Sequence, residues 1–145
     1  MTKVKDILQK KGSRVVFIDP NITLRQALNT MVENKVGALP VKDDSGNFVG
    51  IITERDLMRE VHAYADLVAS PVQSVMTANI ISGTREDGID TILEQMIKNR
   101  FRHVPILEKG RLVGIISIGD LVKSQLAYLT HQMEDLKGYV AGHAA

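Results

Sequence analysis

The sequence contains no cysteine and no tryptophan, and aromatic residues make up only 4% of its 145 residues. Without cysteine the chain can form no disulfide, no thiolate zinc site and no cysteine nucleophile. The scarcity of aromatic side chains argues against a base-stacking surface for single-stranded nucleic acid. The 18 basic and 17 acidic residues leave a net charge of +1. No excess of charge therefore points to nucleic acid or to an anionic membrane as a partner.

Long apolar runs and enzyme motifs are also lacking. No segment is apolar enough over its length to span a bilayer, and the charged first residues offer no signal-peptide core. We therefore expect a cytoplasmic protein. There is no GxxxxGK loop, GxGxxG fingerprint or GxSxG elbow, and the four histidines show no metal-ligand spacing. We expect no enzyme activity, no catalytic residue and no metal site.

The dominant feature that is present is an internal repeat. Apolar residues at the i, i+3, i+4, i+7 and i+8 positions of a helix recur 65 residues later: Leu24, Ala27, Leu28, Met31 and Val32 become Ile89, Ile92, Leu93, Met96 and Ile97. The same shift carries Pro40 onto Pro105. After a turn that is one residue shorter in the second copy, a shift of 64 carries GIIT at 50–53 onto GIIS at 114–117. A register that survives a deletion indicates a true duplication.

Each repeat is predicted to run strand, helix, strand, hairpin, strand, helix. The expected opening strands are 14–18 and 79–82, and the expected hairpin strands are 36–42 with 48–52 and 102–107 with 112–116. A short apolar helix opens each unit. A proline after small residues places the linker near 69–71, which divides the chain into repeats 1–69 and 70–123 and an extension 124–145.

The helix boundaries also have sequence signals. Thr23 followed by Gln26 predicts a capping box at the first long helix. Because a glycine stands at the matching position of the second copy, Asp87 is the expected N-cap there. The helices are expected to end near Asn34 and Asn99, residues suited to a left-handed turn.

These repeats resemble the cystathionine-β-synthase-type (CBS) domain family. The similarity lies at 4–8, at 38–41 and in GIITERDL at 50–57, and again in RHVPI at 102–106 and GIISIGDL at 114–121. It extends from about residue 4 to residue 123. The resemblance implies an α+β fold in which two pseudo-twofold-related repeats pack through their sheets, here with an added C-terminal helix. It also implies two clefts that often hold AMP, ADP, ATP or another adenosyl ligand.

Two strand-to-helix junctions carry chemistry suited to a nucleotide. Asp56 and Asp120 lie in the first turn of a predicted helix, where one carboxylate can accept hydrogen bonds from both ribose hydroxyls. Thr53 and Ser117 precede them, at a helix N-terminus that favours phosphate. The same two pairs also fit helix capping alone, and both interpretations stay open.

The resemblance implies two unequal clefts. The first cleft combines an aspartate and a hydroxyl with two basic residues and an apolar wall: Asp120, Ser117, Arg102, His103, Val16, Val36 and Gly37. The second has the same junction chemistry with a different wall and, at most, one cation: Asp56, Thr53, Ile81, Phe101 and Arg55. Alternatively, Arg102 and His103 belong to a solvated strand edge, or His103 is hydrogen-bonded within the sheet.

The C-terminal segment has a helical stripe of its own. Apolar residues advance by four, three, four, three and four positions, at Val122, Leu126, Leu129, Met133, Leu136 and Val140. This period of 3.5 residues predicts a helix that packs along another helix. A dimer contact is the favoured interpretation, and a helix folded back on its own domain is the alternative.

The expected function is that of a regulatory sensor that binds an adenosine-containing nucleotide, with AMP as the first candidate and ATP, ADP or NAD as others. No further cofactor is expected. The partners expected are a second copy, through the repeats and the C-terminal helix, and an effector protein that the sequence does not identify. The alternative is a ligand-free dimerisation or partner-docking module. A nucleic-acid regulator is disfavoured by the balanced charge.

Overall fold

The computed structural model describes residues 2–12 and 14–143. In chain order the helices and strands are α1 (Val4–Lys11), α2 (Leu24–Asn34), β1 (Ala38–Lys42), β2 (Phe48–Thr53), α3 (Glu54–His62), a 3-10 turn (Val72–Ser74), α4 (Ile89–Asn99), β3 (His103–Glu108), β4 (Arg111–Ser117) and α5 (Ile118–His143). The fold is α+β, as predicted. No helix within the described ranges combines the length and apolar character needed to cross a membrane.

Each repeat contains one antiparallel hairpin, β1–β2 in the first and β3–β4 in the second. Pro40 pairs with Ile51, and Pro105 pairs with Ile115, so the two hairpins share one register. The four strands lie within two residues of their predicted bounds. In the second hairpin, Lys109 and Gly110 both have positive φ, which matches the twist that a two-residue turn between strands requires.

The predicted opening strands at 14–18 and 79–82 are wrong. The chain makes a single parallel bridge in each repeat instead, from Ile18 to Val41 in the first and from Gly83, one residue after the predicted strand, to Ile106 in the second. Ile18 donates to the Pro40 carbonyl and accepts from Lys42, and the chain then turns at Asp19. One bridging residue makes two backbone hydrogen bonds but gives no ladder, so neither segment becomes a strand.

The helix ends follow the predictions in part. Thr23 and Gln26 form the predicted capping box. At α4, however, Gly88 is the N-cap without a side-chain hydrogen bond, and Asp87 instead accepts from the Thr84 amide at 2.8 Å. The left-handed residues are Lys35 and Arg100, each one position after the predicted asparagine.

The first element of each repeat, α1 in one and the 3-10 turn Val72–Ser74 in the other, packs into the core of the opposite repeat. We call these two elements the exchanged segments. Helix α1 packs into the core of the second repeat, whereas Val72 packs into the core of the first. The crossings are hydrogen-bonded equivalently: Val4 donates to the Asp87 carbonyl at 2.9 Å, and Val72 donates to the Ile22 carbonyl at 2.8 Å. The cores therefore divide the chain differently from the sequence repeats, whose boundary we expected near residue 69.

Helix α5 runs without a break at residue 124 and extends beyond the second repeat. Leu121 is buried in the second core, but every residue from 126 to 142 is exposed. The six stripe residues are 53–63% exposed. The alternative in which this helix folds back on its own domain is therefore wrong.

Candidate ligand-binding clefts

Two cavities lie where one repeat faces the other, and each is lined by one of the junction aspartates. The Asp120 cleft has a volume of about 280 Å³ and is lined by Ser117 and Asp120 from the second repeat and by Val16, Val36 and Gly37 from the first. The Asp56 cleft has a volume of about 530 Å³ and is lined by Thr53, Arg55 and Asp56 from the first repeat and by Ile81 and Phe101 from the second. These are the groupings that the sequence predicts.

Arg102 is the predicted site residue that does not line its expected cleft. It is exposed just before β3 and lines an adjoining cavity of about 440 Å³, which Ser117 and His103 also border. His103 and Ser117 border both this cavity and the Asp120 cleft, and Arg102 borders the adjoining cavity. Arg102 therefore lies beside the Asp120 cleft rather than in its lining, and the joint role of these two basic residues stays a prediction.

Both junctions have capping geometry. Asp56 is 7% exposed, and its Oδ2 accepts from the Thr53 amide at 2.8 Å. Its Oδ1 accepts from Arg59 at 3.0 Å. Asp120 accepts through Oδ2 from the Ser117 amide at 2.8 Å and from Lys11 Nζ at 2.7 Å. A carboxylate offers about four lone-pair sites. Because Thr53 Oγ1 also donates to Asp56 Oδ2 at 3.1 Å, these contacts leave about one site on Asp56 and about two on Asp120 for a ribose.

The Asp56 cleft is richer in cations than the sequence predicts. Arg59 and Arg100 line it together with Arg55, so the expectation of at most one cation there is wrong. Arg55 donates to the Arg100 carbonyl, which fixes its guanidinium beside the second repeat. Three arginines therefore surround a cavity in which one of them already pairs with Asp56.

The Asp120 cleft likewise has three cations that were not predicted as site residues: Lys11, Arg14 and Lys35. Lys35 occupies the repeat position of Arg100, so the 65-residue register contains a signal for both. Lys11 gives no such signal, because it reaches Asp120 only through the exchange of α1 into the second core.

The side chain of His103 borders both clefts. Its burial holds the pKa of His103 below the usual 6.5, and nearby Lys11 and Arg102 lower it further against the opposing effects of Glu54 and Asp120. The imidazole is therefore neutral at pH 7 and offers hydrogen bonds rather than the positive charge expected from the sequence.

Asp120, in contrast, stays ionised. Partial burial opposes its charge, but the hydrogen bonds from Lys11 and from Ser117 outweigh burial and lower the pKa of Asp120 below its ordinary value. The ionised carboxylate can accept hydroxyl donors, and because Lys11 is already paired with it, Arg14 and Lys35 are the cations left to attract an anion.

Comparison with known proteins identifies the fold. The family model described as CBS domain matches residues 4–63 and 72–127. The chain belongs to the CBS domain family. A CBS-domain containing protein from Agrobacterium tumefaciens is 42% identical, and its solved structure covers 86% of this chain and 93% of its own with a TM-score of 0.83. A CBS domain-containing protein of Bacillus subtilis is 31% identical over 127 residues, which cover 88% of each chain.

Two similar CBS structures contain adenosine compounds. A CBS domain protein from Pyrobaculum aerophilum complexed with AMP is 25% identical, with a TM-score of 0.74 over 82% of this chain and 89% of its own. The CBS domain pair of protein MJ0100 is in complex with 5′-methylthioadenosine and S-adenosyl-L-methionine. It is 26% identical, with a TM-score of 0.78 over 88% of this chain and 98% of its own.

Proposed function

We propose that this CBS pair is a regulatory module, not an enzyme, and that its two clefts bind adenosine-containing nucleotides. One observation carries the proposal: each junction aspartate opens into a cavity whose opposite, apolar wall comes from the other repeat. A nucleoside has this same division, with a hydroxyl-bearing ribose at one end and an apolar-faced base at the other. Similar proteins that hold AMP or S-adenosyl-L-methionine support the assignment.

The two clefts suit ligands of different size. The Asp120 cleft, at about 280 Å³, lies just below the roughly 300–1,000 Å³ typical of ligand pockets. AMP is therefore our first candidate there. The Asp56 cleft is almost twice as large and carries three guanidinium groups, which bind phosphate oxygens in bidentate fashion. We assign ADP or ATP to this cleft.

Calorimetric titration of the full chain with AMP, ADP and ATP tests the proposal. Asp120→Ala should weaken the AMP event by about 1.5–3 kcal/mol, and Asp56→Ala should weaken the ADP or ATP event by a similar amount, since each removes a charged acceptor. Asp44→Ala is the matched control, because Asp44 is an exposed hairpin-turn residue that lines neither cleft. Equal effects of all three variants would contradict the assignment.

The alternative, a ligand-free docking module, has an observation in its favour. Asp56 and Asp120 both close capping motifs through the Thr53 and Ser117 amides, which explains their presence without a nucleotide. The same titration separates the two functions. If no adenosine ligand binds, and the aspartate variants lose only thermal stability, the capping explanation is the correct one.

A further inference from the structure

The exposed part of α5 cannot be explained by packing within one chain. From residue 126 to residue 142 all side chains are exposed, over more than four helical turns. In proteins most helical stability comes from the packing of an apolar face and not from intrinsic helix propensity. Gly138 and Gly142 lower its intrinsic stability. The helix therefore needs a partner along its length.

The stripe on α5 has the geometry of a coiled-coil seam. Leu126, Met133 and Val140 take the a positions of a heptad, and Val122, Leu129 and Leu136 take the d positions. Both glycines fall outside these positions, so they do not interrupt the seam. On the rear of the helix, Ser124 and Ala127 border the groove beside α1. The seam is thus turned away from that groove.

We propose that α5 pairs with α5 of a second copy as a parallel, in-register two-stranded coiled coil. The residues at the heptad positions e and g, which lie on either side of the seam, favour a second copy as the partner and a parallel direction. In a parallel pair, Gln132 at g lies opposite Lys137 at e of the second copy, and no like charges meet. In an antiparallel pair, Lys123 lies opposite Lys137 of the second copy, and this repulsion occurs twice.

The seam is also large enough for a specific dimer. Burying six side chains that are now 53–63% exposed removes on the order of 600 Å² per copy from water, against roughly 800 Å² per partner in a standard interface. The stems of flanking side chains such as Lys123 and Lys137 supply further area as they lie across the seam. This inference does not depend on the nucleotide assignment.

Sedimentation equilibrium of the full chain tests the seam. The unmodified protein should be a dimer. Leu129→Glu with Met133→Glu should raise the dimer dissociation constant at least about a hundredfold, because unpaired carboxylates are costly to bury. Ala127→Glu with Ala141→Glu adds the same charge at exposed positions outside the seam and should leave the dimer intact. A monomeric unmodified protein, or equal behaviour of the two double variants, would overturn the proposal.

Disulfide trapping tests the direction and needs no destabilising charge. The chain has no cysteine, so Leu136→Cys provides a single thiol. In a parallel dimer the two copies of this thiol face each other and should form a disulfide. In an antiparallel dimer position 136 lies beside position 126 of the second copy, about 15 Å away along the axis. A disulfide formed only when Leu126→Cys and Leu136→Cys proteins are mixed would overturn the parallel arrangement.

Discussion

At the scale of single residues, the ion pair between Lys11 and Asp120 connects the exchanged helix α1 to the first turn of α5. Lys11 Nζ lies 2.7 Å from Asp120 Oδ2, and the Asp120 side chain is only 18% exposed. Lys11 also donates to the Ile115 carbonyl at 2.8 Å. Because solvent screens this pair less than a surface pair, it contributes both to stability and to the charge state of the cleft.

Lys11→Met, which keeps the apolar stem, should destabilise the protein by about 1–2 kcal/mol at pH 7. The lowered pKa of Asp120 gives a contribution that is fully present above its ordinary value of 3.8 and is lost as pH falls through the folded-state pKa. The difference between variant and unmodified protein should therefore shrink in acid. Urea unfolding at pH 7 and at pH 3 measures it.

Lys10→Met is the matched control for this experiment. Lys10 is the exposed neighbour of Lys11 on α1, so its replacement should leave the pH dependence of unfolding unchanged. If the Lys11→Met curve runs parallel to that of the unmodified protein at all pH values, the ion pair does not set the pKa of Asp120.

At the scale of helices and strands, the exchanged segments depend on close approach to a glycine in each hairpin. A Cβ at Gly114 would lie 2.5 Å from Leu8 Cδ2, and a Cβ at Gly50 would lie 2.5 Å from Met76 Sδ. These two contacts occupy equivalent repeat positions. Glycine at the centre of each buried strand thus makes room for the segment that arrives from the other repeat.

Gly114→Ala should cost about 1–3 kcal/mol of unfolding free energy, because Leu8 is packed in the core and must shift. Gly114→Ala combined with Leu8→Ala should cost less than the sum of the single changes. Denaturant titration of the three variants measures the coupling. Gly119→Ala, whose nearest contact is Ser117 Oγ at 3.6 Å, is the control and should cost no stability, since alanine also favours the helix. Additive costs would show that Leu8 and Gly114 are not coupled.

Local patterns predict the local parts of this structure. Helical periodicity places α2 and α4, and proline register places the hairpins, because these signals depend on neighbours in sequence. The predicted strands at 14–18 and 79–82 fail because the chain bridges to the hairpin of its own repeat at one residue only, Ile18 in the first repeat and Gly83 in the second. The cations of the clefts are harder to predict than the strands. Lys11 lies beside Asp120 only because α1 packs into the second core, and no local sequence pattern indicates that packing.

At the scale of the whole molecule, the exchanged segments should hold the two repeats together even after the chain between them is cut. The linker is accessible, since Tyr64 is 96% exposed. After cleavage at a protease site inserted between residues 64 and 65, the halves should elute together in gel filtration and separate only in denaturant. Each half contributes a segment to the other's core. Separation in native buffer would contradict a stable exchange.

The same crossing constrains the order of events on the ribosome. When the first repeat has emerged up to His62, its core still lacks Val72, which lies beyond the linker. Helix α1, although made first, must wait for α4, β3 and β4 before its apolar face is covered. The first core can therefore close once the chain has reached Met76, whereas the second waits for Leu121. Val4, Ile7 and Leu8 stay open to chaperones for that whole interval.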